Sequence, residues 1–230
     1  MNKGYDIIIP VFNEKKIIDL FDYLFENIKY CNDIFICYDL DEDISIKLIN
    51  QSKYKNEKKI KLLKNPLDGP CEAIKIGLNE SKSEAAIVYP ADDFFNGNIL
   101  DKMYDLSKEG YDIVCPSRFI EGGLIKNCPL IKLLIVKCVS ISLYYFSSLK
   151  IKDPTNGFRL FSHKILKNYK IESTLGFSYS LELLIKSHLD HRKIIEIPSI
   201  WIERIDKKSN FKILKWSKNY LMWFFKAIFN

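Results

Sequence analysis

The chain has 230 residues, 47% of them apolar and 28% charged, with a net charge of +6 that comes mainly from lysine. This balance excludes a disordered chain and supports one large domain with a full core. Prolines and glycines are scattered singly with no repeat or linker, and Cys31, Cys37, Cys71, Cys115, Cys128 and Cys138 form no C-x-x-C pair, which fits a reduced, cytosolic setting.

In chain order, Tyr5 to Val11 reads as a strand. After Asn13-Glu14-Lys15, the residues Ile17, Ile18, Phe21, Leu24, Phe25 and Ile28 recur at helical spacing. The opening run is too short for a signal h-region, so export is not expected. Asp33 to Tyr38 is a second strand ending in the acidic cluster Asp39, Asp41, Glu42 and Asp43, before a helix over Ile44 to Gln51. Ile60 to Leu63 is a third strand, and Asn65 to Gly69 turns into a helix over Cys71 to Leu78. Ala85 to Tyr89 is a fourth strand, stopped by Pro90. The alternation predicts βαβ units in an α/β fold with a mostly parallel sheet, whose ligands gather at the strands' carboxyl ends. Val11 to Glu14, Asp39 and Asp92 then share one edge.

Asp112 to Cys115 is a further strand that leads to Ser117-Arg118. Pro129 to Leu149 is strongly apolar but carries Lys132, Lys137 and serines, which predicts a buried or interfacial helix rather than a spanning one. In DPTNGFRLF, Asp153 to Phe161, an Asn156-Gly157 turn stands beside the Arg159 guanidinium. Such a turn brings backbone close to an oxyanion, or is simply a polar turn between core elements. From Phe211 to Phe229, apolar residues recur at helical spacing with lysines and tryptophans interspersed, and no acid follows Asp206. That amphipathic segment fits an anionic membrane interface, or else packs on the domain or a second copy. The division expected is residues 1–210 as the catalytic domain and 211–230 as the appended helix.

Several stretches in order resemble the inverting family-2 glycosyltransferases with a GT-A fold, and most closely the polyprenyl-phosphate sugar transferases of the dolichol-phosphate mannose type. IIIPVFNE matches the opening strand and nucleotide loop, Tyr38-Asp39 the acidic strand end, and NPLDGPCEAIKIGL the Asn-x-Gly-x-x-x-Ala segment. PADD stands at the metal-binding Asp-x-Asp, and PSRF, DPTNGFRLF and EIPSIWIERIDKKS at the later signatures. The sequence departs from the pattern at Pro90, which falls on the first Asp of Asp-x-Asp, and at Val136, where a serine would follow Lys132. Lys207 and Asn210 replace the usual Gly and Lys.

The resemblance implies a nucleotide site at Pro10, Val11, Asn13, Glu14, Asp39, Asp68, Arg204 and Ser209. It implies Mg²⁺ or Mn²⁺ on Asp92, helped by Asp93, bridging the departing diphosphate. Arg118 and Arg159 would serve as forked phosphate donors, and Lys132 with Asn156 as acceptor contacts. A lipid-phosphate acceptor is already an anion and needs no base; a sugar hydroxyl would need one, for which Asp153 or Glu182 is the candidate.

The expected activity is transfer of a sugar from a nucleoside-diphosphate sugar to a lipid-phosphate or glycan acceptor. The expected location is cytoplasmic and peripheral, at the inner face of the membrane, with no nucleic acid partner. A catalytically degenerate nucleotide-sugar-binding or scaffold subunit is the rival. A sugar nucleotidyltransferase is a further one, against which stands the absence of glycine in VFNEKK.

Overall fold

The computed structural model describes residues 1–203 and 213–229. Its main sheet is built from β1 (Asn2–Pro10), β2 (Cys31–Tyr38), β3 (Ile60–Lys64), β4 (Ser83–Val88), β5 (Ile113–Ser117), β7 (Arg159–Ser162) and β8 (Ile194–Pro198), in the order β3-β2-β1-β4-β7-β5-β8. Every pairing is parallel except those of β7, which runs antiparallel between β4 and β5. A parallel pair beside it, β6 (Leu124–Lys126) and β9 (Ile200–Ile202), forms a second small sheet. The α/β fold with a mostly parallel sheet is therefore as the strand-helix alternation predicts.

β1 lies in the middle of the sheet and is buried on both faces, which its unbroken Ile7-Ile8-Ile9 run requires. Ile7 and Ile9 face α1 (Ile17–Asn27), α2 (Ile44–Asn50) and α4 (Leu100–Lys108), while Ile8 faces α3 (Pro70–Glu80) and the later helices. In α1, Ile17, Leu20, Phe21 and Leu24 are the buried stripe. α3 lies so close to the sheet that a Cβ on Gly77 would stand 2.6 Å from the Ile8 side chain. Cys31, Cys37, Cys71 and Cys115 are buried without disulfides and fill the core as small hydrophobes.

After β6 the chain forms α5 (Leu130–Phe146). Beyond β7 it forms α6 (His163–Asn168) and α7 (Ser178–Leu189), and it ends in α8 (Ile213–Phe229). α8 packs on α7 and α5 through Trp223 and Ala227, against Leu143, Leu181 and Ile185. The Trp223 indole is fully buried and donates to Ser173 Oγ at 2.9 Å. α5 is not a buried helix: only Ser140 and Leu143 are enclosed, and Leu130, Ile131, Leu134, Ile141, Tyr145 and Phe146 are exposed. Among the described residues no helix is long and apolar enough to cross a membrane.

Candidate active site

The carboxyl ends of β1, β2, β3, β4 and β5 lie along one edge. Because β7 is reversed, with Arg159 opposite Val88, its preceding loop of residues 153–158 comes to the same edge. The Asp153 segment thus joins the edge that the alternation predicts for Val11 to Glu14, Asp39 and Asp92, and this addition could not be read from spacing, because a strand inserted backwards leaves no periodic signal.

The loop after β1 contains Pro10, Val11, Asn13 and Glu14 and is fastened to the start of α2. Asn13 takes the left-handed conformation, φ 52°, and its N–H donates to Asp43 Oδ2 at 2.8 Å, while the Ile44 N–H donates to Asn13 Oδ1 at 3.2 Å. Asp43 Oδ1 caps α2 by accepting from the Ser45 N–H at 2.7 Å, and the Glu14 N–H donates to Ser45 Oγ at 2.8 Å. Asp43, read in sequence only as one of an acidic cluster, is thus the brace of the first loop. An Asp directly before an apolar helical run is the signal that identifies it.

Asp39, at the end of β2, accepts from Asn65 Nδ2 at 2.8 Å and from the Gly69 N–H at 3.0 Å. Its carboxylate shapes the 65–69 loop, where Gly69 has φ 105° and Asp68 is exposed. The loops that follow β1 and β2 are therefore each braced, one by Asn13 with Asp43 and the other by Asp39 with Asn65.

Asp92 and Asp93 follow β4 and part company. Asp92 is exposed at the edge. Asp93 accepts from the N–H groups of Phe95 and Asn96 at 2.8 and 3.1 Å and from Asn96 Nδ2 at 2.6 Å, so its carboxylate closes the turn; burial pushes its carboxyl pKa up. Beneath it, the Tyr89 hydroxyl donates to the Asp93 carbonyl at 3.0 Å, and the Tyr89 ring packs edge-on against Phe158 at 5.2 Å. Three hydrogen bonds commit Asp93 to closing the turn, so the geometry gives it a bracing role and leaves Asp92 as the carboxylate exposed at the edge. Among the described residues no group of three or more His, Cys, Asp or Glu side chains could hold a metal ion. The donor set fits a hard cation held by one carboxylate, the remaining oxygens coming from phosphate and water, and does not fit an all-protein cage.

Arg118 and Asp153 form a bidentate pair. Nε donates to Oδ2 and Nη2 to Oδ1, each at 2.7 Å, and the Arg118 N–H adds a third bond to Oδ2 at 3.0 Å. The Asp153 side chain is 0% exposed. Asp153 is therefore not open to a hydroxyl proton, which corrects its reading as a general base. The Arg118 guanidinium also lies 4.9 Å from the ring centre of Trp201, and Lys132 Nζ lies 4.5 Å from the same ring. Lys132, the acceptor candidate, is held by Glu203 at 2.8 and 2.9 Å. Trp201 and Glu203 complete this corner and were not picked out by sequence reasoning.

Arg159, Asn156 and Glu182 are corrected in the same way. Arg159 is fully buried: Nη1 donates to the Ser180 carbonyl at 2.8 Å, Nη2 to the Asp153 and Pro154 carbonyls at 3.4 Å, and Nε has no partner. Its fork holds backbone, not phosphate. Asn156 Nδ2 donates to the Pro116 carbonyl at 2.8 Å, and its Oδ1 accepts from the Phe158 N–H at 3.1 Å. Glu182 is fully buried and accepts from the N–H groups of Glu172 and Ser173 and from Lys186 Nζ, all at 2.7 Å. It secures the loop that receives Trp223. Arg204 and Ser209 lie outside the described residues.

Residues 6–170 match the sequence family described as Glycosyl transferase family 2. The chain is 25% identical over 196 residues to a dolichol-phosphate mannosyltransferase of Pyrococcus furiosus, covering 84% of this chain and 54% of the relative. It is 22% identical over 129 residues to a polyprenol monophosphomannose synthase of Mycolicibacterium smegmatis, covering 51% and 49%. The chain thus spans about half the length of these curated relatives. Among solved structures, it superposes with a TM-score of 0.70 and 13% identity on glucosyl-3-phosphoglycerate synthase of Mycobacterium tuberculosis in complex with Mn²⁺, UDP and glucosyl-3-phosphoglycerate, covering 98% of this chain and 80% of the other. S. aureus TarS in complex with UDP-GlcNAc gives a TM-score of 0.64 at 14% identity, covering 96% and 65%. These likenesses identify the sheet and its helices as a GT-A fold.

Proposed function

The chain belongs to glycosyltransferase family 2, and from that premise we propose that it moves one sugar, with inversion, from a GDP- or UDP-linked donor to a polyprenyl phosphate at the cytosolic face of a membrane. The observation that carries the choice of acceptor is the state of the candidate bases. Asp153 and Glu182 are both fully buried and bonded to Arg118 and to backbone N–H groups respectively. A phosphate acceptor arrives as an anion and asks only for positioning cations. The names of the two curated relatives, a dolichol-phosphate and a polyprenol enzyme, point to the same acceptor class.

Donor binding would use the braced loops after β1 and β2, where Asn13 and Asp39 offer hydrogen-bond acceptors to a base. Asp92 would hold Mg²⁺ or Mn²⁺, whose chemistry is to neutralise charge on the leaving diphosphate; two of the fold's neighbours were solved with Mn²⁺ and UDP bound. Lys132 and Arg118 flank Trp201 and would orient the acceptor phosphate, while their counter-ions Glu203 and Asp153 fix the corner. The helix that carries Lys132, α5, has an exposed apolar face with Lys137 exposed, and α8, packed on α5 at Leu143, exposes another with Lys218; these faces offer a surface for lipid.

The test is transfer from GDP- and UDP-sugars to a short polyprenyl phosphate, with Mn²⁺ and with chelator, the product anomer being read by NMR. Transfer to free sugar hydroxyls but not to the phosphate would overturn the acceptor assignment. A degenerate nucleotide-sugar-binding subunit is the second reading, favoured by Pro90 and by the engagement of Asp93 in its own turn; it requires metal-dependent nucleotide binding without turnover on any donor.

A further inference from the structure

Asn96 lies three residues beyond Asp93, buried to 2% exposure, and both N–H groups and the oxygen of its amide are hydrogen-bonded. One N–H of Nδ2 donates to Asp93 Oδ2 at 2.6 Å and the other to the Ile200 carbonyl at 2.7 Å. Oδ1 accepts from the Ile200 N–H at 2.9 Å. The side chain thus pairs with the backbone of Ile200 as a neighbouring strand would, although 104 residues separate the two in sequence.

The place of this pairing gives it a consequence. β9 is three residues long and belongs to the small sheet with β6, so a few contacts fix it: its ladder with β6, the Ser199 N–H to the Ser117 carbonyl at 3.0 Å, and Asn96. The next residue is Trp201, on whose ring Arg118 and Lys132 sit, and two further on is Glu203, which holds Lys132. On the other side, Asn96 is bonded to Asp93, the neighbour of Asp92, and the residue after it, Gly97, donates its N–H to the Tyr23 hydroxyl at 2.9 Å. A continuous line of hydrogen bonds and ring contacts therefore runs from the loop after β4 to the Arg118–Trp201–Lys132 corner, with Asn96 at its centre.

We infer that Asn96 is a positioning residue that couples the donor and metal loop to the acceptor corner, so that a divalent ion and nucleotide bound at Asp92 tighten β9 and set Trp201, Arg118 and Lys132 for the acceptor. The inference rests on the proposed donor site at Asp92. A packing role alone would make Asn96 matter for stability but leave Ile200 indifferent to ligand. A coupling role makes the Ile200 amide report on the nucleotide.

The experiment is hydrogen exchange on the parent chain, free and with Mg²⁺ plus UDP or GDP, followed at the Ile200 amide, together with calorimetric titration of the same nucleotides. Asn96→Ala is measured alongside, its folding checked by thermal melting. Coupling predicts that Ile200 exchange slows in the parent when nucleotide and Mg²⁺ bind, and that Asn96→Ala loses this response while binding nucleotide more weakly. If the parent binds Mg²⁺ and nucleotide but Ile200 exchange is unchanged, or if the variant responds like the parent, the coupling is refuted and the donor site stands. If the parent binds neither nucleotide with Mg²⁺ or Mn²⁺, the donor site falls and the coupling with it. Should Asn96→Ala not fold, the exchange measurement on the parent decides by itself.

Discussion

The carboxylate of Asp153 is closed off by the guanidinium of Arg118, with Oδ1 and Oδ2 each receiving a bond at 2.7 Å. The two side chains are 0% and 9% exposed, so neither charge is solvated in place of its partner. The pair ties the loop before β7 to the end of β5 and leaves the outer face of Arg118 on the Trp201 ring. Its contribution is to geometry at the edge of the sheet: it fixes the guanidinium that the proposed function sets against the acceptor phosphate.

Asp153→Asn follows from this pair as a stability variant. Removing one partner leaves a buried charge uncompensated, which costs about 3–5 kcal/mol. Urea unfolding of the variant should show that loss, with activity falling in step. A variant as stable as the parent but without transfer activity would return Asp153 to the role of a base.

Arg159→Lys is expected to destabilise rather than to impair phosphate binding. The fork reaches three carbonyls, those of Ser180, Asp153 and Pro154, from a fully buried position, and an ammonium on a shorter reach cannot span them. Leaving buried carbonyls unmet costs about 1–3 kcal/mol. A lowered melting temperature with unchanged nucleotide affinity is the expected pair of results; unchanged stability with lost affinity would sink the structural role.

The difference between Arg159 and Arg118 also marks where the sequence stops being legible. Alternation of apolar runs and helical spacing carries the parallel part of the sheet, and the strand ends place Asn13, Asp39 and Asp92 on one edge. β7 is four residues of a motif that reads equally as a turn, and its reversal, which buries Arg159 and brings Asp153 to Arg118, depends on pairing between strands far apart in sequence. Trp201 stayed hidden for a related reason. Its partners come from β5's end and from α5, and no local pattern links them. Asn96 likewise acquires its meaning only from Ile200.

Asp92→Asn should abolish metal-dependent nucleotide binding, while Asp93→Asn should weaken it less and act through the turn. Calorimetric titration of Mn²⁺ with UDP or GDP on both variants measures this. Parent-like metal binding by Asp92→Asn would remove Asp92 from the site. Asp93 adds a pH signature: burial raises its folded pKa above the unfolded value of about 3.9. The folded state then favours the protonated form, so this contribution is present below the unfolded pKa and is lost as pH rises through the folded one. In melts from acid upward, the parent should lose stability relative to Asp93→Asn over that interval, and a constant difference would contradict the shift.

Liposome binding separates the two helices that face outward. α8 contributes Trp223 and Ala227 to a buried cluster with Leu143, Leu181 and Ile185, and exposes Leu221, Met222, Phe225 and Phe229 on its other side. Deleting residues 211–230 therefore uncovers α5 and α7 as well as removing apolar and basic residues, and loss of a fully buried Trp alone costs about 3–5 kcal/mol. Truncation is expected to lower the melting temperature, so a loss of lipid binding in the truncated chain would not by itself identify the contact. Substitution on α5 does: Leu134 is 61% exposed and Ile141 55%, so Leu134→Asp with Ile141→Asp should leave the fold intact. The same change should weaken binding to anionic vesicles, because apolar burial and attraction of about 1 kcal/mol per nearby lysine act together. Binding by the parent should also fall as salt rises. Co-sedimentation at low and high salt reads both effects, and vesicle binding by the doubly substituted chain equal to that of the parent would exclude α5 as the membrane-facing surface.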